Sequence, residues 1–125
     1  MEFVRLTAVL IRQHSFEHDP EVGHTAEAPG DPEDYKGVLV CALDDDRDLV
    51  RGEWMGYLTF GEQVRPFVLH GKQVVFGSGP QGRWECNLGD VTVQTGAVFS
   101  LGDFHSRTVW TYEIRSLFSY GHLHG

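Results

Sequence analysis

The sequence has few cysteines and no long apolar run. Its two cysteines, Cys41 and Cys86, are too few for a disulfide framework in 125 residues. Both lie in apolar stretches, which favours buried thiols. The apolar run at 6–11 is too short for a membrane span or for the hydrophobic part of a signal peptide. We therefore predict a cytoplasmic protein that has no membrane partner.

Basic residues are also scarce, and charge is distributed unevenly along the chain. Asp and Glu number 18 against 10 Lys and Arg, which gives a net charge of −8. Residues 1–62 contain 14 acidic and 5 basic residues, a net charge of −9, and residues 63–125 carry +1. Because an acidic surface repels phosphate, this composition disfavours nucleic-acid binding and favours a basic protein partner.

Glycine and β-branched residues are plentiful, and their pattern predicts consecutive β-strands. Short apolar runs between 67 and 120 are separated by Gly-containing pairs that are typical of hairpin turns. Polar and apolar residues alternate clearly at 83–88, and in the last run, 108–115, one strand face carries Thr108, Trp110, Tyr112 and Ile114. Pro66 cannot donate to a ladder, so its strand begins after it or lies at an edge. The predicted strands are 2–12, 35–43, 54–61, 67–69, 72–76, 83–88, 91–94, 97–101 and 108–115.

One stretch near the N-terminus does not fit this pattern. Residues 13–34 contain three His, seven acidic residues and three Pro, with Phe16 and Val22 as the large apolar side chains. Such a segment buries too little apolar surface to order itself, so we predict a long acidic surface loop. The predicted fold is a single all-β domain over 1–125, an antiparallel barrel or sandwich of about eight to nine short strands.

Two motifs resemble known binding loops without completing them. Residues 77–82 match G-x-G-x-x-G, but a dinucleotide site needs a helix next, and here a strand pattern follows. We interpret this stretch as a hairpin loop and predict no cofactor. Asp44-x-Asp46-x-Asp48 resembles the start of a calcium loop, but Leu49 and Met55 occupy the positions that need Gly and a carboxylate. A solvated acidic turn is the favoured interpretation.

The histidines suggest metal binding or catalysis as further hypotheses. Imidazoles together with carboxylates can hold zinc, and solvated histidines that titrate near neutral pH are the simpler interpretation. His105 lies in Asp103-Phe104-His105-Ser106, but neighbours on an extended chain point to alternate faces and do not form a triad. The candidate metal ligands are His14, His18, His24, His122 and His124.

Charge provides the main functional hypothesis, which is a non-enzymatic protein whose acidic N-terminal half binds a basic partner. An inhibitor or immunity-type protein is one concrete form of it. One alternative is a small-ligand-binding barrel with an aromatic-lined pocket, which requires an interior cavity of several hundred Å³. Another is a hydrolase or metal enzyme that uses His105 or the loop histidines. The predicted partner-binding residues are Asp44, Asp45, Asp46, Asp48 and Glu53.

Overall fold

An antiparallel β-barrel accounts for most of the described chain. The computed structural model describes residues 1–15, 24–27, 34–77, 84–103 and 107–122. The strands are β1 (Glu2–Ser15), β2 (His24–Glu27), β3 (Lys36–Leu43), β4 (Glu53–Phe60), β5 (Gln63–His70), β6 (Gln73–Val75), β7 (Trp84–Cys86), β8 (Val98–Asp103) and β9 (Thr108–His122).

Pairing between the first and last strands closes the barrel. From β3 to β8, each strand pairs with the next strand in sequence, so the run ends at β9. Strand β1 pairs with both β3 and β9. The β1–β9 register runs from Glu2 opposite His122 to Ser15 opposite Thr108. The predicted all-β fold is therefore confirmed as a closed barrel of eight strands, and β2 is added at one end of β1.

The segment predicted as one long loop is partly strand. Gln13, His14 and Ser15 continue β1, where they pair with β9 on one side and with β2 on the other. This pairing satisfies backbone groups that the loop prediction had left to solvent. Residues 16–23 and 28–33 lie outside the described chain.

The turn at 44–48 and strand β2 lie at opposite ends of the barrel. Glu2 pairs with Leu43, so the turn at 44–48 lies at the end where β1 begins. We call this the acidic end. Ser15 and β2 lie at the other end, together with the turn at 61–62 between β4 and β5.

Side chains fill the interior. Tyr112 and Ile114 are completely buried, and the Trp84 and Trp110 rings stack with centroids 4.4 Å apart. One cavity among the described core residues has a volume of about 20 Å³ and an apolar lining. That is room for about one water molecule and too little for a small-molecule ligand at this place.

Two strand predictions in the second half are wrong. Residues 91–94 form no strand, because Val93 folds into the end of the barrel, where it is fully buried and donates its N–H to the Arg47 carbonyl at 2.8 Å. The strand predicted at 83–88 ends at Cys86, and a single 3-10 turn follows at Leu88–Asp90. Gly102 and Asp103, predicted as a turn, belong to β8.

Candidate functional site

The acidic turn, residues 44–48, is a tightly hydrogen-bonded hairpin. The Asp44 N–H donates to the Asp48 carbonyl at 2.9 Å, and the Arg47 N–H donates to the Asp44 carbonyl at 3.0 Å. The Asp44 carboxylate accepts the N–H groups of Asp46 and Asp48, each at 2.9 Å. Such side-chain bonds are the usual way in which Asp stabilises a turn. The backbone that carries these carboxylates is therefore fixed.

Three carboxylates converge on this turn. Single oxygens of Asp44, Asp46 and Asp48 lie within 4.8 Å of one another, and all three residues are exposed. Within the part of the chain that the structure describes, this is the one group of His, Cys, Asp or Glu side chains close enough together to hold an ion. No Lys or Arg among the described residues forms an ion pair with it.

The Arg47 side chain connects the acidic turn to Val93 and to the start of β1. Its backbone is left-handed, with φ 64°, and its Nε donates to the Val93 carbonyl at 3.2 Å. Its guanidinium also lies 3.6 Å from Glu2. The Arg47 side chain therefore contacts Val93 and Glu2 and forms no ion pair with the aspartates of the turn.

Glu53, the fifth predicted partner-binding residue, is separate from the turn. It begins β4 and lies opposite His70 on β5, with 3.0 Å between Glu53 Oε1 and His70 Nδ1. Both side chains are exposed. The predicted group of five is therefore divided into a turn of four aspartates and a Glu53–His70 hydrogen bond on the outer barrel surface.

The predicted metal-ligating histidines do not form one site in the described chain. His14 lies on β1 opposite Val109, at the far end of the barrel from the acidic turn. His122 lies at the acidic end, where its Nε2 is 3.6 Å from Glu2. His24 belongs to β2, opposite Ser15. The remaining candidates lie outside the described residues: His18, His105 and His124.

The cysteines are buried free thiols, as the sequence predicted. Burial raises the pKa of Cys41 to about 12. Burial also raises the pKa of Cys86 to about 11, against a smaller opposing effect of the Leu88 N–H, which donates to its sulfur. Because the thiolate is the reactive form, both thiols are poor nucleophiles near neutral pH.

A groove that the sequence did not reveal lies at the acidic end. Its volume is about 340 Å³, and its lining includes Trp54, Lys72 and Asp90. Trp54 Nε1 donates to the Val50 carbonyl at 2.8 Å, and Lys72 pairs with Asp90 at 3.0 Å. Three of its polar side chains, Trp54, Lys72 and Asp90, thus already have partners within the protein, and the exposed Arg51 also lines it.

The outer surface of β3–β6 carries a second feature that the sequence analysis missed. Directly opposed residues form one row across four strands, Val40–Met55–Val68–Val75. A parallel row contains Val38, Tyr57 and Pro66, and Val64 lies beyond it. The available signal was the run of apolar residues at 38–43, which we interpreted only as a central strand. Val38 itself is buried, at 8% exposure. We call the remaining surface the apolar wall; it comprises Val40, Met55, Tyr57, Val64, Pro66, Val68 and Val75.

Comparisons with known proteins found no similar protein, so a proposal on function must be argued from the fold and from these surfaces. The chain matches no protein-family model, and no curated protein or solved structure is significantly similar to it. None of the helical segments described is long and apolar enough to cross a membrane.

Proposed function

We propose that this barrel is a non-enzymatic interaction protein that binds a basic protein through its acidic turn. The observation that carries the proposal is the convergence of three exposed carboxylates within 4.8 Å on a hydrogen-bonded backbone. Carboxylates held this close repel one another, and a lysine or arginine from a partner relieves that repulsion. Because the turn is already ordered, binding costs little additional conformational entropy.

Three other carboxylates near this end already have nitrogen partners within the protein, whereas the aspartates of the turn are available for docking. Glu2 lies near Arg47, Glu53 pairs with His70, and Asp90 pairs with Lys72. Exposed and unpaired aspartates attract a basic surface from a distance and orient it on approach. A small cytoplasmic protein that blocks a basic enzyme, as an inhibitor or immunity protein does, is the concrete form of this proposal.

The two alternative functions stay predictions. For the ligand-binding alternative, the cavity of about 20 Å³ among the described core residues is far below the size of a small-molecule site. The hydrolase or metal-enzyme alternative depends on His105 and the loop histidines, and His105 and His18 lie outside the described residues.

A variant that removes charge but keeps the turn tests the proposal. The variant is Asp45→Asn/Asp46→Asn/Asp48→Asn, with Asp44 retained because its carboxylate holds the backbone. The charge-matched control is Asp34→Asn/Glu62→Gln/Glu85→Gln, which changes three exposed carboxylates elsewhere. The immobilised wild-type protein is used to capture a partner from source-cell lysate, and the purified partner is then titrated against all three proteins at low and high salt.

We expect binding that weakens with salt, a loss of at least about tenfold in the turn variant, and near wild-type binding in the control. Equal binding by the turn variant and the wild type would overturn the proposal. So would the capture of no partner together with stoichiometric Ca²⁺ binding that the turn variant loses, because the turn would then be a cation site.

A further inference from the structure

We propose that the groove at the acidic end of the barrel binds a small planar carboxylate. The residues that line this groove belong neither to the barrel core nor to the acidic turn, so the inference goes beyond the proposed function and does not rest on it. It depends on the volume and order of the groove, on the Trp54 ring and on the Arg51 guanidinium.

The groove is built from segments whose backbones are hydrogen-bonded to the barrel. In the loop before β4, the Val50 N–H donates to the Ala42 carbonyl at 2.9 Å. In the turn between β5 and β6, the Lys72 carbonyl accepts the Cys86 N–H at 2.8 Å. Small-molecule sites are usually formed before the ligand arrives, and a volume of about 340 Å³ lies at the lower end of their range. The groove therefore has the order and the size that a small ligand needs.

Trp54 gives the groove an ordered aromatic lining. Its Nε1 donates to the Val50 carbonyl at 2.8 Å, and the Phe3 ring meets it edge-on with the ring centroids 6.5 Å apart. Because these contacts hold the ring and use its N–H inside the protein, the indole offers a ligand apolar surface and no free donor. Leu49 and Val50 add aliphatic side chains to the same lining. This part of the groove favours a flat apolar body.

Arg51 supplies the charge that a ligand has to match. It is exposed, and its guanidinium forms no ion pair within the part of the chain that the structure describes. The other two charged residues of the lining, Lys72 and Asp90, pair with each other at 3.0 Å. Arg51 and Lys72 against Asp90 give the lining a net charge of +1, although the whole chain carries −8. A guanidinium binds a carboxylate through two parallel N–H···O bonds, so the complementary group is a carboxylate.

Gly89 keeps one part of the lining free of a side chain. A Cβ at this position would meet no atom within 4 Å, and the φ of Gly89 lies outside the left-handed region. A larger residue can therefore be placed there without a clash and without backbone strain. Because Gly89 lines the groove, such a residue occupies space that a ligand would need.

The test is a nuclear magnetic resonance titration of the whole protein with three probes that share one aromatic ring system. Indole-3-acetate carries a carboxylate, indole-3-acetamide is its neutral analogue, and tryptamine is a cationic analogue. We expect indole-3-acetate to shift the backbone amide signals of 49–54, 71–72 and 89–90 and the indole signal of Trp54. The amide and the amine should bind at least about threefold more weakly, which is the scale of an exposed ion pair.

Two variants and their matched controls locate the site. Gly89→Leu should weaken the binding of indole-3-acetate by at least about tenfold, and Arg51→Gln should abolish the preference for the carboxylate. Gly102→Leu is the control for Gly89→Leu, since a Cβ at position 102 also meets no atom within 4 Å and Gly102 lies on β8, outside the groove lining. Arg12→Gln is the control for Arg51→Gln, since Arg12 is an exposed arginine on β1, opposite Glu27 of β2. Circular dichroism and thermal unfolding establish that each variant is folded.

The acidic-turn variant separates this proposal from the proposed function. Asp45→Asn/Asp46→Asn/Asp48→Asn should bind indole-3-acetate at least as tightly as the wild type, because it removes negative charge from the same end of the barrel, although it should lose the basic partner. Three results would overturn the groove proposal: equal binding of the three probes, equal binding of indole-3-acetate by the wild type and either groove variant, or no shift in the groove signals at millimolar indole-3-acetate.

Discussion

Gly56 on β4 passes so close to Val38 on β3 that a methyl group at position 56 would overlap the Val38 carbonyl oxygen. The same methyl group would lie 3.1 Å from the Leu39 Cα and 3.0 Å from the Phe67 ring. Two of these three contacts are with backbone atoms, which cannot rotate away as a flexible side chain can. The close packing of β3 on β4 therefore requires glycine at this position.

Replacing this glycine should destabilise the barrel. We expect Gly56→Ala to lower the free energy of unfolding by about 1–3 kcal/mol, because β3 and β4 must move apart to admit the methyl group. Gly102→Ala is the matched control, since a Cβ on this β8 residue meets no atom within 4 Å. The measurement is the urea midpoint of each variant. Equal midpoints for the two variants would contradict this account of the β3–β4 contact.

Local patterns in the sequence indicate this position and the last strand. Glycine inside a strand is typical of a bulge or a close approach, and Gly56 lies in the strand predicted at 54–61. Alternation over 108–115 predicted the inward face of β9, where Thr108, Tyr112 and Ile114 are buried. Both features depend on residues that are close together in the sequence, and for that reason the sequence alone indicates them.

Features set by distant contacts could not be predicted. Val91 and Val93 alternate with polar residues as strand residues do, but the Val93 N–H is bonded to Arg47 in a different loop. In β9, a register shift leaves Arg115 without a partner on β1, because Ile114 pairs with Ala8 and Ser116 pairs with Thr7. A β-bulge of this kind changes which side chains face inward, and the sequence pattern alone does not locate it.

The candidate site was likewise only partly predictable. The run of aspartates at 44–48 indicated an exposed acidic turn, which the structure has. The role of Asp44 in holding the turn depends on hydrogen-bond geometry. The contact between Glu53 and His70 depends on the β4–β5 register. Neither can be predicted from the sequence. The apolar wall depends on the registers of four strands, so its residues are scattered in the sequence and adjacent only in the barrel.

Tyr112 provides a prediction about a buried polar group. Its hydroxyl is buried and has no hydrogen-bond partner among the described residues, and burial raises the pKa of the phenol above its usual value. An unsatisfied buried hydroxyl costs about 1–3 kcal/mol. Tyr112→Phe should therefore leave the stability unchanged or raise it, as measured by thermal unfolding. Tyr120→Phe, at a 54% exposed residue, is the control that should have no effect. A clear loss of stability in Tyr112→Phe would show that the hydroxyl has a partner.

Arg47 should control the order of the 91–97 segment. Asparagine tolerates the left-handed backbone at position 47, so Arg47→Asn removes the side-chain contacts with the Val93 carbonyl and Glu2 without adding backbone strain. The bond from the Val93 N–H to the backbone carbonyl of residue 47 is kept. We expect faster hydrogen exchange at 91–97 and a loss of about 1 kcal/mol in stability, because the Arg47–Glu2 contact is partly exposed and screened. Arg51→Asn, at an exposed arginine nearby, should change neither quantity. Unaltered exchange in Arg47→Asn would contradict the bracing role.

The buried thiols should make the protein less stable in alkali. In the unfolded chain a cysteine ionises near about pH 8.5, whereas burial in the native barrel raises the pKa of Cys41 to about 12 and that of Cys86 to about 11. Between these values the unfolded state releases protons that the native state retains, so the free energy of unfolding falls as pH rises. The stabilisation that comes from keeping the two thiols protonated is fully present below about pH 8.5 and is lost progressively above it.

The measurement is the urea midpoint under reducing conditions, from about pH 7 to about pH 9, which stays about one pH unit below the pKa of unfolded tyrosine. The double variant Cys41→Ala/Cys86→Ala should begin from a lower midpoint, because two packed side chains are truncated, but its midpoint should decline less steeply with pH. Equal slopes in the wild type and the double variant would contradict the prediction, because the alkaline loss would then arise from groups other than these thiols.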